Sequence, residues 1–152
     1  MVRHNIYILF IIILIMANEV TVVTLLGNAG DPVEYTIADG TAIPKGTIMK
    51  YSSSPQTAAA AAVDGDFICG IASCEKKADD GVLKMACWTN GLFEITATAG
   101  TGSMTLGAGV KITGANTVAP ADDDTIEKSQ ENFGKAQETV AAGASGVVRV
   151  NI

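Results

Sequence analysis

Histidine is almost missing from this chain of 152 residues: His4 is the single one. It lies in the first five residues, ahead of any expected domain, so a histidine-based triad and a histidine-rich zinc site are excluded. Aromatic residues make up only 5% and charged residues only 17%. The Glu/Lys/Leu excess of a coiled coil is therefore absent. Cysteine is sparse and odd in number: Cys69, Cys74 and Cys87. No C-x-x-C pair occurs, so neither a disulfide framework nor a zinc knuckle is expected. Each cysteine sits in an apolar run, and the expectation is three reduced core thiols, as in a reducing cytoplasm. There is no N-x-[ST] sequon. No apolar run reaches the roughly 20 residues of a spanning helix.

What is present points to a packed domain. Apolar residues are 48%, too many for a disordered acidic chain, and the length suits one domain. Lys and Arg number 10 against 16 Asp and Glu, for a net charge of −6. Such a balance repels a phosphate backbone, so no nucleic-acid partner is expected.

The start differs from the rest. Residues 1–5 are polar and weakly basic, and residues 6–16 read IYILFIIILIM, an unbroken apolar run. Three readings stay open for this 1–16 leader. It is upstream sequence ahead of a true start at Met16, or a signal or anchor, or a native arm. No membrane partner is expected for the body.

From Glu19 onward the pattern is β: short runs of Val, Ile and Thr between clusters of Gly, Asp, Asn and Pro. Strands are expected at 20–26, 33–37, 47–51, 67–73, 82–89, 92–98, 110–113, 133–138 and 147–152. Alternation is clearest where Phe93, Ile95 and Ala97 face one way and Glu94, Thr96 and Thr98 the other, which describes a half-buried strand. Thr89-Asn90-Gly91 reads as a hairpin turn, and Asp79-Asp80-Gly81 as another turn. Ala58 to Ala62 allows one or two helical turns, and 125–130 another. The fold expected is all-β, a small barrel or sandwich with little helix. A faint internal echo supports it. Phe67 to Ala72 with Asp80 to Met85 parallels Phe133 to Ala136 with Ser145 to Val150, two similar strand pairs that help close a barrel.

Candidate chemistry fails motif by motif. The stretch from Gly100 to Gly109 lacks the G-K-[ST] ending of a phosphate loop and reads as a mobile turn. Asp122-Asp123-Asp124 with Glu127 lacks the EF-hand order and reads as a solvated acidic loop. Ser145 has no histidine partner. Trp88 reads as core rather than a ligand platform. No catalytic residue, metal ligand or cofactor is expected. The product of such a chain is a surface, so a structural or binding module is expected rather than an enzyme.

The order of motifs in 39–152 resembles the capsid decoration, or cement, proteins of tailed phages. Asp39-Gly40-Thr41-Ala42-Ile43-Pro44-Lys45-Gly46-Thr47 is similar to that family's opening. Asp64-Gly65-Asp66-Phe67-Ile68-Cys69-Gly70-Ile71-Ala72 is similar to its turn into a G-[IV]-A strand. Gly91-Leu92-Phe93-Glu94-Ile95 and Leu106-Gly107-Ala108-Gly109-Val110 follow in order. Phe133-Gly134-Lys135-Ala136 and Val147-Val148-Arg149-Val150 resemble its closing pair. The resemblance implies a β-tulip-like domain, usually a homotrimer. It implies binding to the outer face of an assembled head, reinforcement of capsomer contacts, and the major capsid protein as partner. Residues 17–38 would be a clamping N-terminal arm. Its Val20, Val22, Val23, Leu25 and Leu26 are the expected partner-binding residues, placed to add a strand to a neighbouring sheet edge. Small residues allow close subunit packing, and linked subunits multiply modest contacts. The competing class is an exported cell-envelope β-module, favoured by the apolar run and the Thr/Ala/Gly-rich body.

Overall fold

The structure is a computed structural model describing residues 19–121 and 131–152. The apolar leader, the Asp122-Asp123-Asp124/Glu127 cluster and the turn expected at 125–130 lie outside the described residues.

Among the described residues eleven strands form and no helix. They are β1 (Thr21–Leu25), β2 (Val33–Thr36), β3 (Ile48–Tyr51), β4 (Ala58–Ala60), β5 (Ile68–Ala72) and β6 (Lys84–Trp88). The later ones are β7 (Asn90–Ala97), β8 (Gly109–Gly114), β9 (Thr117–Pro120), β10 (Gly134–Ala136) and β11 (Ser145–Asn151). The first sheet runs β1-β7-β11-β10-β8-β9. Strand β9 returns to pair in parallel with β7, Thr96 opposite Thr117 and Ala97 opposite Val118. That pairing closes β7, β11, β10, β8 and β9 into a five-stranded barrel. Strand β1 lies on the same flank of β7, next to residues 91–94. The second sheet runs β2-β6-β5-β3-β4. A bridge between Thr36 and Thr57 draws its two ends together.

Two apolar clusters follow from this curling. The larger fills the barrel with Phe93, Ile95, Ala97, Val110, Ile112, Val118, Ala136, Val148 and Val150, and takes Ile48, Ile68 and Ile71 from the second sheet. The smaller lies on the other side of the second sheet and contains Tyr35, Ile37, Ile43, Met49, Cys69, Met85 and Cys87. Strand β5 separates them and is buried at every position. Simple alternation cannot serve both clusters here. The register shift between Met49 and Lys50, which face Gly70 and Ile68, leaves Cys69 as an extra residue. This bulge lets Ile68 and Ile71 enter one cluster while Cys69 and Ala72 enter the other. Gly70 is required there. Its φ is +152°, and a Cβ would meet the Cys87 Cβ at 2.7 Å and the Trp88 carbonyl at 2.8 Å.

The nine expected strands all form, and the alternation of β7 is as expected: Phe93, Ile95 and Ala97 are buried. Five details differ. Ala58 to Ala62 is not helical: Ala58, Ala59 and Ala60 pair with Tyr51, Lys50 and Met49. Tertiary pairing overrides alanine's helix preference because only methyl groups fit, with Ala58 and Ala61 in the two clusters. Thr89-Asn90-Gly91 is not a hairpin. Strand β6 ends in the second sheet and β7 begins in the first, with Thr89 alone between them. Gly91 serves close packing instead: a Cβ there would meet the Thr24 carbonyl at 2.9 Å. Strand β9 was not expected, since its four residues end in a proline. Cys74 is exposed, unlike Cys69 and Cys87, because it falls in the irregular connection after β5. The segment from Gly100 to Gly109 is anchored rather than mobile. Met104 is 1% exposed, and its N–H and C=O bond Val140 at 2.9 and 2.8 Å.

Among the described residues two lysines are buried, Lys111 and, more completely, Lys76. Lys76 is 2% exposed. Its Nζ donates to the carbonyls of Lys77 at 2.8 Å and Asp39 at 2.5 Å, and lies 3.2 Å from the Asp80 and 3.5 Å from the Asp39 carboxylates. Reciprocal backbone bonds between Ile43 and Lys76 complete the clamp. It ties the β2–β3 connection to the turn at Asp79-Asp80-Gly81. Hydrogen bonds from the Val82 and Lys77 N–H groups, with the Lys76 charge, hold the Asp80 carboxyl below its ordinary range.

Candidate functional site

The residues expected to bind a partner lie on and around β1, so its geometry decides what they offer. The stretch expected as a free arm supplies strands to both sheets, β1 to the first and β2 to the second. Val20 is 5% exposed and belongs to the barrel cluster, so burial withdraws it from any contact surface. Val22 and Leu25 are half-buried and pack against the same cluster, and Leu26 is half-buried. Val23 stands out at 49% exposed.

The pairing with β7 explains Val23. Val22 faces Phe93 and Thr24 faces Leu92, so Val23 is an extra residue, a bulge that turns its side chain outward. Strand β1 ends the sheet order. Among the described residues, the backbone of 21–24 makes no hydrogen bond on its outer side. Such an edge is a template for another chain, while a bulge shortens the uninterrupted stretch it offers. The surface is therefore a short open edge carrying one protruding valine, flanked by half-buried Val22, Leu25 and Leu26.

Both ends of β1 are braced. The Val20 N–H donates to the Gly46 carbonyl at 3.3 Å, and Lys45 sits 5.5 Å over the Trp88 ring. A hollow of about 310 Å³ opens there between Glu19, Thr21, Val22 and Lys45. Trp88 is half-buried against the barrel cluster, its ring 6.2 Å from Phe93. At the other end Asp31 accepts from the Asn90 side chain at 3.0 Å and the Asn28 N–H at 2.9 Å. These bonds hold its carboxyl below the ordinary range. The Gly30 carbonyl accepts from Thr89 and Asn90, so the turn after β1 is fastened to the passage between the sheets.

A second feature was not expected. Outward-facing Lys135 on β10 and Arg149 on β11 stand directly opposite each other. They line a groove of about 490 Å³ with Asn132, Gln137 and Asn151. The signal was present in the sequence, as a basic residue between small or apolar neighbours in Gly134-Lys135-Ala136 and Val148-Arg149-Val150. Pairing between the two strands is what joins them.

Among the described residues no group of three or more His, Cys, Asp or Glu side chains could hold a metal ion. No helix there is long and apolar enough to cross a membrane. Ser145 is exposed and hydrogen-bonds Thr96 at 3.1 Å.

No family model matches the chain, and no curated protein matches it. Among solved structures, it is similar to the crystal structure of the head fiber gp8.5 N base in bacteriophage phi29. The TM-score is 0.53 at 16% identity, covering 79% of this chain and 94% of that one. At that identity the likeness is one of fold: the arrangement of strands described above is shared with a β domain from a phage head fiber.

Proposed function

We propose that this chain is a structural protein of a bacteriophage head, a decoration protein bound to the outer surface of the assembled shell. The observation that carries the reading is the fold shared with the N base of a phage head fiber over most of both chains. The order of motifs between Asp39 and Val150 supports it from the sequence side. In this reading the major capsid protein is the partner, contacts between capsomers are stabilised, and the protein acts as a homotrimer attached after assembly in the host cytoplasm. Its role is non-enzymatic.

The β1 edge suits the attachment. A partner strand laid along it gains main-chain hydrogen bonds at about 0.5–1.5 kcal/mol net each. Val23 is the one residue of the row free to enter a pocket. Val22 and Leu25 already serve the barrel and Leu26 is half-buried, so these three contribute only their exposed faces. The test is co-sedimentation with undecorated heads of the cognate phage. Val23→Asp should reduce bound protein severalfold while leaving the thermal midpoint of the free domain unchanged. Retention of full binding by Val23→Asp removes β1 from the contact. Failure of the unmodified protein to bind heads overturns the reading itself. Chemical cross-linking on the particle tests the trimer, and a dimer ladder refutes it.

A further inference from the structure

We propose that the groove over β10 and β11 docks an extended acidic segment of a partner polypeptide. The inference starts from a local cost. Lys135 and Arg149 are directly opposed across antiparallel strands, and like charges so placed destabilise a sheet. Among the described residues neither has an acidic partner: the five ion pairs there involve Lys50, Lys76, Lys84 and Lys111. Of the carboxylates nearby, Glu94 stands on the same outer face, diagonal to Arg149, without forming an ion pair, and the others are engaged elsewhere or lie away. Glu138 accepts from the Val147 N–H at 2.8 Å, and Glu131 lies toward Gly65. In a chain with net charge −6, leaving two opposed cations uncompensated makes sense when something external compensates them.

The lining selects the ligand. Two short rows follow the strands, Lys135 and Gln137 on the β10 side and Arg149 and Asn151 on the β11 side, with Asn132 at one end of the groove. Alternate residues on a strand are about 6.6–6.8 Å apart, so the donors repeat at the spacing of alternate side chains in an extended peptide. A segment with carboxylates at every second position places one on the Arg149 fork and Lys135, and neighbouring polar groups on the amides. An enclosed small-anion site is a poorer match, since the groove is open along its length. A nucleic acid is a poorer match, since the rest of the molecule repels a phosphate chain. The proposal stands independently of the head reading, because it rests on the groove alone.

The probe is a synthetic octapeptide of alternating Thr and Glu, titrated into the isotope-labelled full-length protein at low salt and followed by amide chemical shifts. Shifts should cluster in 132–137 and 147–151. Arg149→Gln and Lys135→Gln should each weaken binding about two- to fivefold, and the pair about tenfold or more. The double variant should melt at the same temperature as the parent or higher, since an opposed like-charge pair is relieved. The outcomes that overturn the proposal are these: equal binding by the Thr/Gln peptide, shifts centred outside the groove, or unchanged affinity in the double variant. Tighter binding of inorganic phosphate or a single-stranded oligonucleotide than of the Glu peptide also overturns it.

Discussion

Replacing Lys76 tests how the second sheet is held at its open end. The side chain is enclosed, and its Nζ is surrounded by carbonyl and carboxylate oxygens from both connections it joins. Lys76→Ala removes most of a buried stem, at about 0.8 kcal/mol per methylene. It also strips a charged donor from several acceptors, one of which is worth about 1.5–3 kcal/mol. Asp39 and Asp80 are partly exposed, so water recovers part of that loss. The expected cost is about 3–5 kcal/mol, or roughly 10 °C in the thermal midpoint for a chain this size. Lys76→Met keeps the stem and should recover about half of that loss. Urea unfolding at neutral pH measures both variants, and hydrogen exchange at the Ile43 and Lys76 amides reports whether the clamp opens first. A loss below about 1 kcal/mol in Lys76→Ala, or full stability in Lys76→Met, refutes the assignment of a polar clamp.

Other consequences follow from the packing. Gly70→Ala should destabilise by more than about 2 kcal/mol, since its Cβ has no space against Cys87 and Trp88; a neutral variant by urea unfolding contradicts the bulge. In the native protein a thiol reagent should titrate Cys74 at once and Cys69 and Cys87 only on unfolding, because the pair is buried and hydrogen bonding to Cys87, with burial, keeps the Cys69 thiol protonated. Three equally fast thiols count against that packing. Asp31, Asp66 and Asp80 have folded-state values held below the ordinary 3.8. Their contribution is therefore full above that pH and lost as pH falls through the folded values. Thermal midpoints should fall below about pH 4, and Asp66→Asn, which loses the Lys50 pair, should flatten that fall; an identical pH profile for the variant refutes it.

Strand existence was legible because alternation and turn residues act locally. Phe93, Ile95 and Ala97 announce a half-buried strand without knowledge of any partner. Partner choice was not legible. Asn90-Gly91 has the composition of a tight turn, yet its glycine answers to Thr24, a residue far away in sequence. Alanine at 58–60 carries no β preference of its own and becomes a strand only because β3 offers an unpaired edge. The attachment row was read as a uniform apolar stretch. What separates buried Val20 from protruding Val23 is the bulge opposite β7, which depends on register. The Lys135–Arg149 groove needed the pairing of β10 with β11 before two isolated cations became neighbours.

Strand β7 has three partners, and two of them come from distant parts of the chain. Its contact with β1 spans about 70 positions and that with β11 about 50 to 60, separations typical of folds that take milliseconds to seconds to form. During synthesis β1 emerges first and waits, with its apolar row uncovered, until β7 leaves the ribosome. The barrel then stays open until β11 arrives. A cell making many copies at once holds a large pool of half-built chains with a bare strand edge, the form most prone to sticking to its own kind. Once β7 has paired, the bulge at Val23 interrupts the outer edge of β1 while the barrel waits for β11.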